Sequence, residues 1–165
     1  MLDKKKLTTR ILSALTKDLQ QAINAANEAH AAAVDDQSVA ETQYDTLAIE
    51  ASYLAEGQSR RVTEFQQAIE SYKALITLLE TKTFNSDSYI ALGALVQLST
   101  DTGQNHWFFI GPAAGGFRYT LAKGNITVIT PKSPVGMALL GKQQDDDITV
   151  MLGTHKLEDY IAIVK

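Results

Sequence analysis

The 165-residue sequence contains no cysteine, only 3 prolines and a single tryptophan. Without thiols there is no disulfide framework, no thiolate zinc site and no cysteine nucleophile, and a reducing compartment, the cytoplasm, is the expectation. No run approaches the ~20 apolar residues of a membrane span. The N-terminus carries Lys4, Lys5, Lys6 and Arg10 but neither the apolar run nor the small-residue cleavage site of a secretion leader. Positive charge is missing from one long stretch: between Lys17 and Arg60 there is no Lys or Arg, while Asp18, Glu28, Asp35, Asp36, Glu41, Asp45, Glu50 and Glu56 all fall there. The formal net charge is -4, so bulk electrostatics would repel a phosphate backbone.

What is present divides into two parts. The first 80 residues hold 8 basic and 12 acidic side chains and the remainder hold 7 of each, so the whole negative excess lies in the first half. There, Leu7, Ile11, Leu15, Leu19, Ala22, Ala26, Ala29 and Ala33 step by three or four. So do Tyr44, Leu47, Ala51, Leu54, Gln58, Val62, Phe65, Ile69, Tyr72, Ile76 and Leu79. Each series is one seam of an amphipathic helix. The polar stretch Val34 to Val39 separates them, with Ser38 and Glu41 spaced as a capping box. So short a connection predicts an antiparallel hairpin, whose first helix of roughly 27 residues would extend about 40 Å. The seam shrinks from Leu and Ile to Ala toward the turn, which lets the helices approach closely there.

After Phe84 the period changes. Short apolar runs at Tyr89–Leu98, Trp107–Ile110, Arg118–Leu121, Asn125–Ile129, Ile148–Leu152 and Tyr160–Val164 read as strands. Turn residues sit between them at Asp101–Gly103, Gly111–Gly116, Lys123–Asn125 and Gly153–Thr154, predicting an antiparallel sheet with Gly111–Gly116 as a hairpin loop. Ser133 reads as an N-cap with Pro134 at the first helical position of a single helix through Leu140. The fold class is therefore α+β: a helical stalk over residues 1–82 and a sheet domain with one helix over residues 83–165.

Standard chemical constellations are largely missing. Gly111–Gly116 lacks the spacing and the Lys-Ser/Thr ending of a phosphate loop. His30, His106 and His155 have no partner at metal-ligand spacing. Asp145, Asp146 and Asp147 lack the spaced ligands of a calcium loop and read as a turn. Trp107, Phe108, Phe109, Phe117 and Tyr119 read as core rather than pocket lining. Only the acidic hairpin end offers chemistry. It is either a solvated charged surface or a carboxylate cluster for a divalent metal or a basic partner.

The segment from Ile129 to Lys142, ITPKSPVGMALLGK, followed by acidic residues and a strand, resembles the C-terminal signature of bacterial Gre-type transcript cleavage factors. The layout is also similar, with a coiled-coil hairpin acidic at its tip and then an FKBP-like domain. The resemblance implies a factor whose globular domain docks on RNA polymerase at the secondary channel, with Ser133, Pro134 and Gly136 marking the docking loop. It implies that tip carboxylates, here Asp35, Asp36 and Glu41, hold a Mg²⁺ shared with the polymerase, bound weakly or not at all by the isolated chain. The factor is then not an enzyme alone but stimulates transcript cleavage by the polymerase. Its contact with the transcript RNA 3′ end runs through the complex. A monomer, at most a weak DNA contact and no membrane association are further implications.

The tip departs from the family's Asp-x-x-Glu-Asn arrangement. Asp35 and Asp36 precede Glu41 by six and five residues, Thr42 stands at the Asn position, and Tyr44 fits the aromatic that follows. Asp45, one turn beyond Glu41, is an alternative ligand. That altered spacing keeps open a channel-binding regulator that competes with other factors without supporting cleavage. A free-standing prolyl isomerase, using the aromatics around Trp107, is the reading from another class.

Overall fold

In the computed structural model the first half is two helices, α1 (Lys4–Gln37) and α2 (Tyr44–Thr81). The structure describes residues 3–37 and 44–165; the side chains of 33–48 and of Ala51 lie outside the description, as does the predicted capping box of Ser38 and Glu41. At ~1.5 Å per residue the helices are about 51 and 57 Å long. No helix among the described residues is long and apolar enough to cross a membrane. Two compact units result, one of Met1–Ile11 with Ser71–Lys165 and the other of Leu12–Glu70.

In the Leu12–Glu70 unit, Leu15, Ala22, Ala29, Ala55 and Ile69 are buried. A groove there is lined by Asp18, Gln21, Ala22 and Ala25 from α1 and by Gln58, Arg61 and Phe65 from α2. In the other unit the start of α1 instead meets the end of α2, since Lys4 and Thr8 share a cavity with Ile76 and Leu79. The seam of α2 differs from the periodic expectation at Leu54, which is 57% exposed, the buried position being Ala55. Ala at the contact lets two helix backbones come closer than Leu would.

The second half forms a six-stranded sheet. Its strands are β1 (Leu95–Leu98), β2 (His106–Ile110), β3 (Arg118–Thr120), β4 (Asn125–Ile129), β5 (Asp147–Leu152) and β6 (His155–Val164). Their order is β3-β4-β2-β1-β6-β5. The sheet is mostly antiparallel, but β2 and β4 run parallel, with His106 opposite Asn125 and Ile110 opposite Ile129. Gly111–Gly116 is therefore not a hairpin loop. It carries the chain from β2 past β4 to β3, and the actual hairpin joins β3 to β4, closed by Leu121 N–H donating to the Gly124 carbonyl at 3.0 Å.

Strand β1 begins later than the apolar run Tyr89–Leu98 suggests. Gly93 adopts φ +89°, and a Cβ on it would stand 2.7 Å from Leu79 Cδ2. Ala94 N–H then closes a turn onto the Ala91 carbonyl at 3.0 Å, and the pairing with β2 ends here, with Gly93 N–H donating to the Ile110 carbonyl at 2.8 Å and Ile110 N–H to the Ala94 carbonyl at 3.0 Å. The Asp101–Gly103 turn is part of a 3₁₀ helix over Ser99–Gln104.

One apolar cluster contains Val96, Leu98, Ile110, Ile148, Val150 and Ile161. The short helix α3 (Pro134–Leu139) covers it through Leu139, with Val135 and Ala138 packed alongside. Elsewhere in the same unit Leu7, Ile11 and Tyr72 are fully buried and Leu75 nearly so, so the roots of both helices belong to the packed interior.

Candidate functional site

The acidic residues assigned to the hairpin end are only partly covered by the structure. Asp35 and Asp36 belong to the last turn of α1, which continues to Gln37 where the polar stretch Val34–Val39 predicts a turn. Their side chains, and Glu41 altogether, lie outside the described residues, as do Thr42 and the side chain of Asp45. The hairpin acids that are described, Asp18, Glu28, Glu50 and Glu56, are all exposed. Glu56 pairs with Arg60 at 3.7 Å across one helical turn, an exposed pair of small energetic value. Among the described residues no three His, Cys, Asp or Glu side chains converge as a metal site.

The loop at Ser133, Pro134 and Gly136 is fully described. Ser133 is extended (φ -73°, ψ 152°) and its Oγ accepts a hydrogen bond from Gly136 N–H at 3.0 Å while donating to the Thr130 carbonyl at 2.8 Å. Pro134 sits where a helical N–H would have no partner, so its missing donor costs nothing. Gly136 is buried, and a Cβ on it would fall onto the Thr130 carbonyl and beside Ser133 Oγ. Thus Ser133 and Gly136 build the loop from within, whereas Pro134 faces solvent. Met137, one turn on and 63% exposed, extends that outer face.

Two polar networks in the sheet domain have no counterpart in motif reasoning. His106, to which the sequence assigns no role, places Nδ1 3.1 Å from Asp101 Oδ1 and Nε2 2.9 Å from Thr127 Oγ1. The ring links the 3₁₀ helix to β2 and β4. Asp159 accepts hydrogen bonds from the Ser99 and Thr100 hydroxyls and from the N–H groups of Tyr160, at 2.8 Å, and Thr100, at 3.3 Å. Burial pushes the Asp159 carboxyl up, but these donors outweigh it and hold the carboxyl below the usual range. Both networks tie Ser99–Gln104 down. Trp107 and Phe109 are buried, and Phe108, Phe117 and Tyr119 are half-buried, so the aromatics serve largely as core. Trp107 Nε1 donates to Asn105 Oδ1 at 2.8 Å.

No family model matches the chain, and no curated protein matches it significantly. Among solved structures it is similar to the GreA factor homolog 1 (Gfh1) protein of Thermus thermophilus, at 18% identity and a TM-score of 0.36, over 97% of this chain and 93% of that one. Thermus aquaticus Gfh1 is likewise 18% identical, with a TM-score of 0.33, over 97% of this chain and 92% of that one.

Proposed function

We propose that this chain is a transcription elongation factor of the Gre type, which binds RNA polymerase at its secondary channel and promotes Mg²⁺-dependent cleavage of backtracked transcript. The observation that carries this reading is the segment from Thr130 to Leu140. The residues of the Gre-like signature form a capped helical turn, with Gly136 required by the approach of Thr130 and with Pro134 and Met137 exposed, as a docking role would need. Two long helices precede that domain, and the cation-free stretch of sequence spans their connection.

In this reading Asp35, Asp36 and Glu41 supply hard oxygen ligands of the kind Mg²⁺ takes, and the polymerase's own carboxylates and the RNA phosphate complete the set. A shared ion supplies charge stabilisation and water activation for phosphodiester hydrolysis. The chain's own contribution is delivery. A narrow Ala-lined seam permits a slim helical pair, and the lack of Lys or Arg from Asp18 to Ser59 leaves its carboxylates uncompensated along the sequence.

The five- and six-residue separations of the Asp residues from Glu41 favour a second reading, a channel-binding regulator that occupies the same dock without supporting hydrolysis. Transcript shortening in a stalled polymerase complex with Mg²⁺ separates the two. Cleavage stimulated by the wild type and lost in Asp35→Ala, Asp36→Ala or Glu41→Ala supports the first. Competition for polymerase without shortening supports the second. Equal cleavage by all four proteins removes the tip from the mechanism.

A further inference from the structure

Where α1 begins and α2 ends, a cavity of about 390 Å³ opens onto two lysines that share one aromatic ring. Lys4 Nζ lies 4.5 Å from the centroid of Phe84 and Lys82 Nζ 4.9 Å from the same centroid. Among the described residues neither ammonium forms an ion pair. Ile76 and Leu79 supply apolar walls, and both are half-buried, as are Lys4, Lys82 and Phe84. The one acidic side chain lining the cavity, Glu80, is exposed, as are Lys5 and Lys165, and the Lys165 ammonium lies 5.0 Å from the centroid of Trp107, a ring outside the lining. Asp3, adjacent in sequence, is already engaged: its Oδ1 accepts from Lys6 N–H at 3.0 Å.

Two like charges on one ring, partly withdrawn from water and without an ion-pair partner among the described residues, are an unfavourable arrangement for an empty cleft. Cation–π attraction to Phe84 offsets part of that cost but leaves the net positive charge in place. An anion with an apolar body removes both deficits, since its head neutralises the ammoniums and its body covers the walls. We propose that this cavity binds a small organic anion, a carboxylate or phosphate head on a flat apolar body, with Lys4 and Lys82 facing the head and Ile76, Leu79 and Phe84 covering the body. The site is independent of the polymerase reading, because none of its residues belongs to the hairpin tip or to the α3 loop. Burial and the neighbouring Lys82 lower Lys4 from 10.5 to about 8, the direction expected of a cation lacking its counter-ion.

The test is an NMR titration of the full-length chain, at low ionic strength to limit screening, with four probes: benzoate, phenyl phosphate, inorganic phosphate and benzyl alcohol. Saturable shifts at Lys4, Lys82 and Phe84 with benzoate or phenyl phosphate support the proposal, and the better of the two identifies the head group. Inorganic phosphate and benzyl alcohol should each bind at least about tenfold more weakly, because each lacks one half of the recognition. Lys4→Gln and Lys82→Gln should each weaken the preferred probe about tenfold or more, the usual effect of losing a hydrogen-bonded charge. In the wild type the Lys4 titration midpoint should rise when that probe is bound. Absence of saturable binding by both organic anions, equal binding of benzyl alcohol or inorganic phosphate, or undiminished affinity in both Gln variants would overturn it.

Discussion

The Tyr72 hydroxyl, carried on α2, donates a 2.8 Å hydrogen bond to the Ala113 carbonyl in the β2–β3 connection, 41 residues away in sequence. Gly111 lies beneath the same hydroxyl, and a Cβ there would fall onto it and stand 2.8 Å from Val128 Cγ1. One buried phenol thus fixes both the partner of a loop carbonyl and the size of the residue that may sit next to it. Tyr72→Phe leaves the Ala113 carbonyl without this donor and should cost about 1–2 kcal/mol. Gly111→Ala adds a clash and should cost about 1–3 kcal/mol. Urea denaturation of the two variants measures both.

The same phenol sets a pH dependence. Burial pushes the Tyr72 hydroxyl well above its ordinary value of 10.0. Above pH 10 the unfolded chain loses this proton while the folded chain keeps it, so the native state binds more protons and stability falls as pH rises. Tyr72→Phe should flatten that alkaline decline, read as the urea midpoint against pH.

Lys4 has the opposite sign. Its folded value of about 8 lies below the ordinary lysine value of 10.5, so between those limits the unfolded chain binds the extra proton and stability rises with pH through that window. Lys4→Gln should remove the increment, and side-chain NMR of the wild type should locate the midpoint near 8.

Asp159 governs the acid side. Because its hydrogen bonds hold the folded carboxyl below its ordinary value of 3.8, their stabilisation is present above that pH and lost as pH falls through the lower folded value. The wild-type urea midpoint should drop more steeply below about pH 4 than that of Asp159→Asn. At neutral pH the variant should be destabilised by about 1 kcal/mol.

The α3 loop separates folding from docking. Ser133→Ala removes the cap and should cost about 1 kcal/mol. Gly136→Ala should cost more, because its Cβ meets the Thr130 carbonyl backbone rather than a flexible side chain. Met137→Glu, at an exposed position, should change stability by no more than about 0.5 kcal/mol. Under the proposed function it should nonetheless weaken binding to RNA polymerase, measured by competition on a stalled complex.

Several of these features are legible without coordinates. The three- and four-residue steps from Leu7 and from Tyr44 identify α1 and α2, and Ser133-Pro134 marks the start of α3, because helix formation and capping depend on neighbours within a turn. Alternation identifies the later strands for the same local reason. The α2 seam is misplaced at Leu54, because periodicity alone cannot weigh a large side chain against the close approach that Ala55 allows. The Asp159 network joins residues 59 and 60 positions apart, a pairing that no local pattern encodes.

By itself, then, the chain's order of residues determined the two helices, the capped turn at Ser133, the absence of thiol chemistry and the acidic character of the hairpin. Each of these is a property of single residues or of neighbours within a few positions. Only the tertiary structure decided that β2 and β4 lie parallel, that Gly111 must be small to seat Tyr72, and that Lys4 and Lys82 converge on Phe84. Those outcomes depend on which distant segments close upon one another. Packing and chain connectivity settle that choice after local preferences have been satisfied.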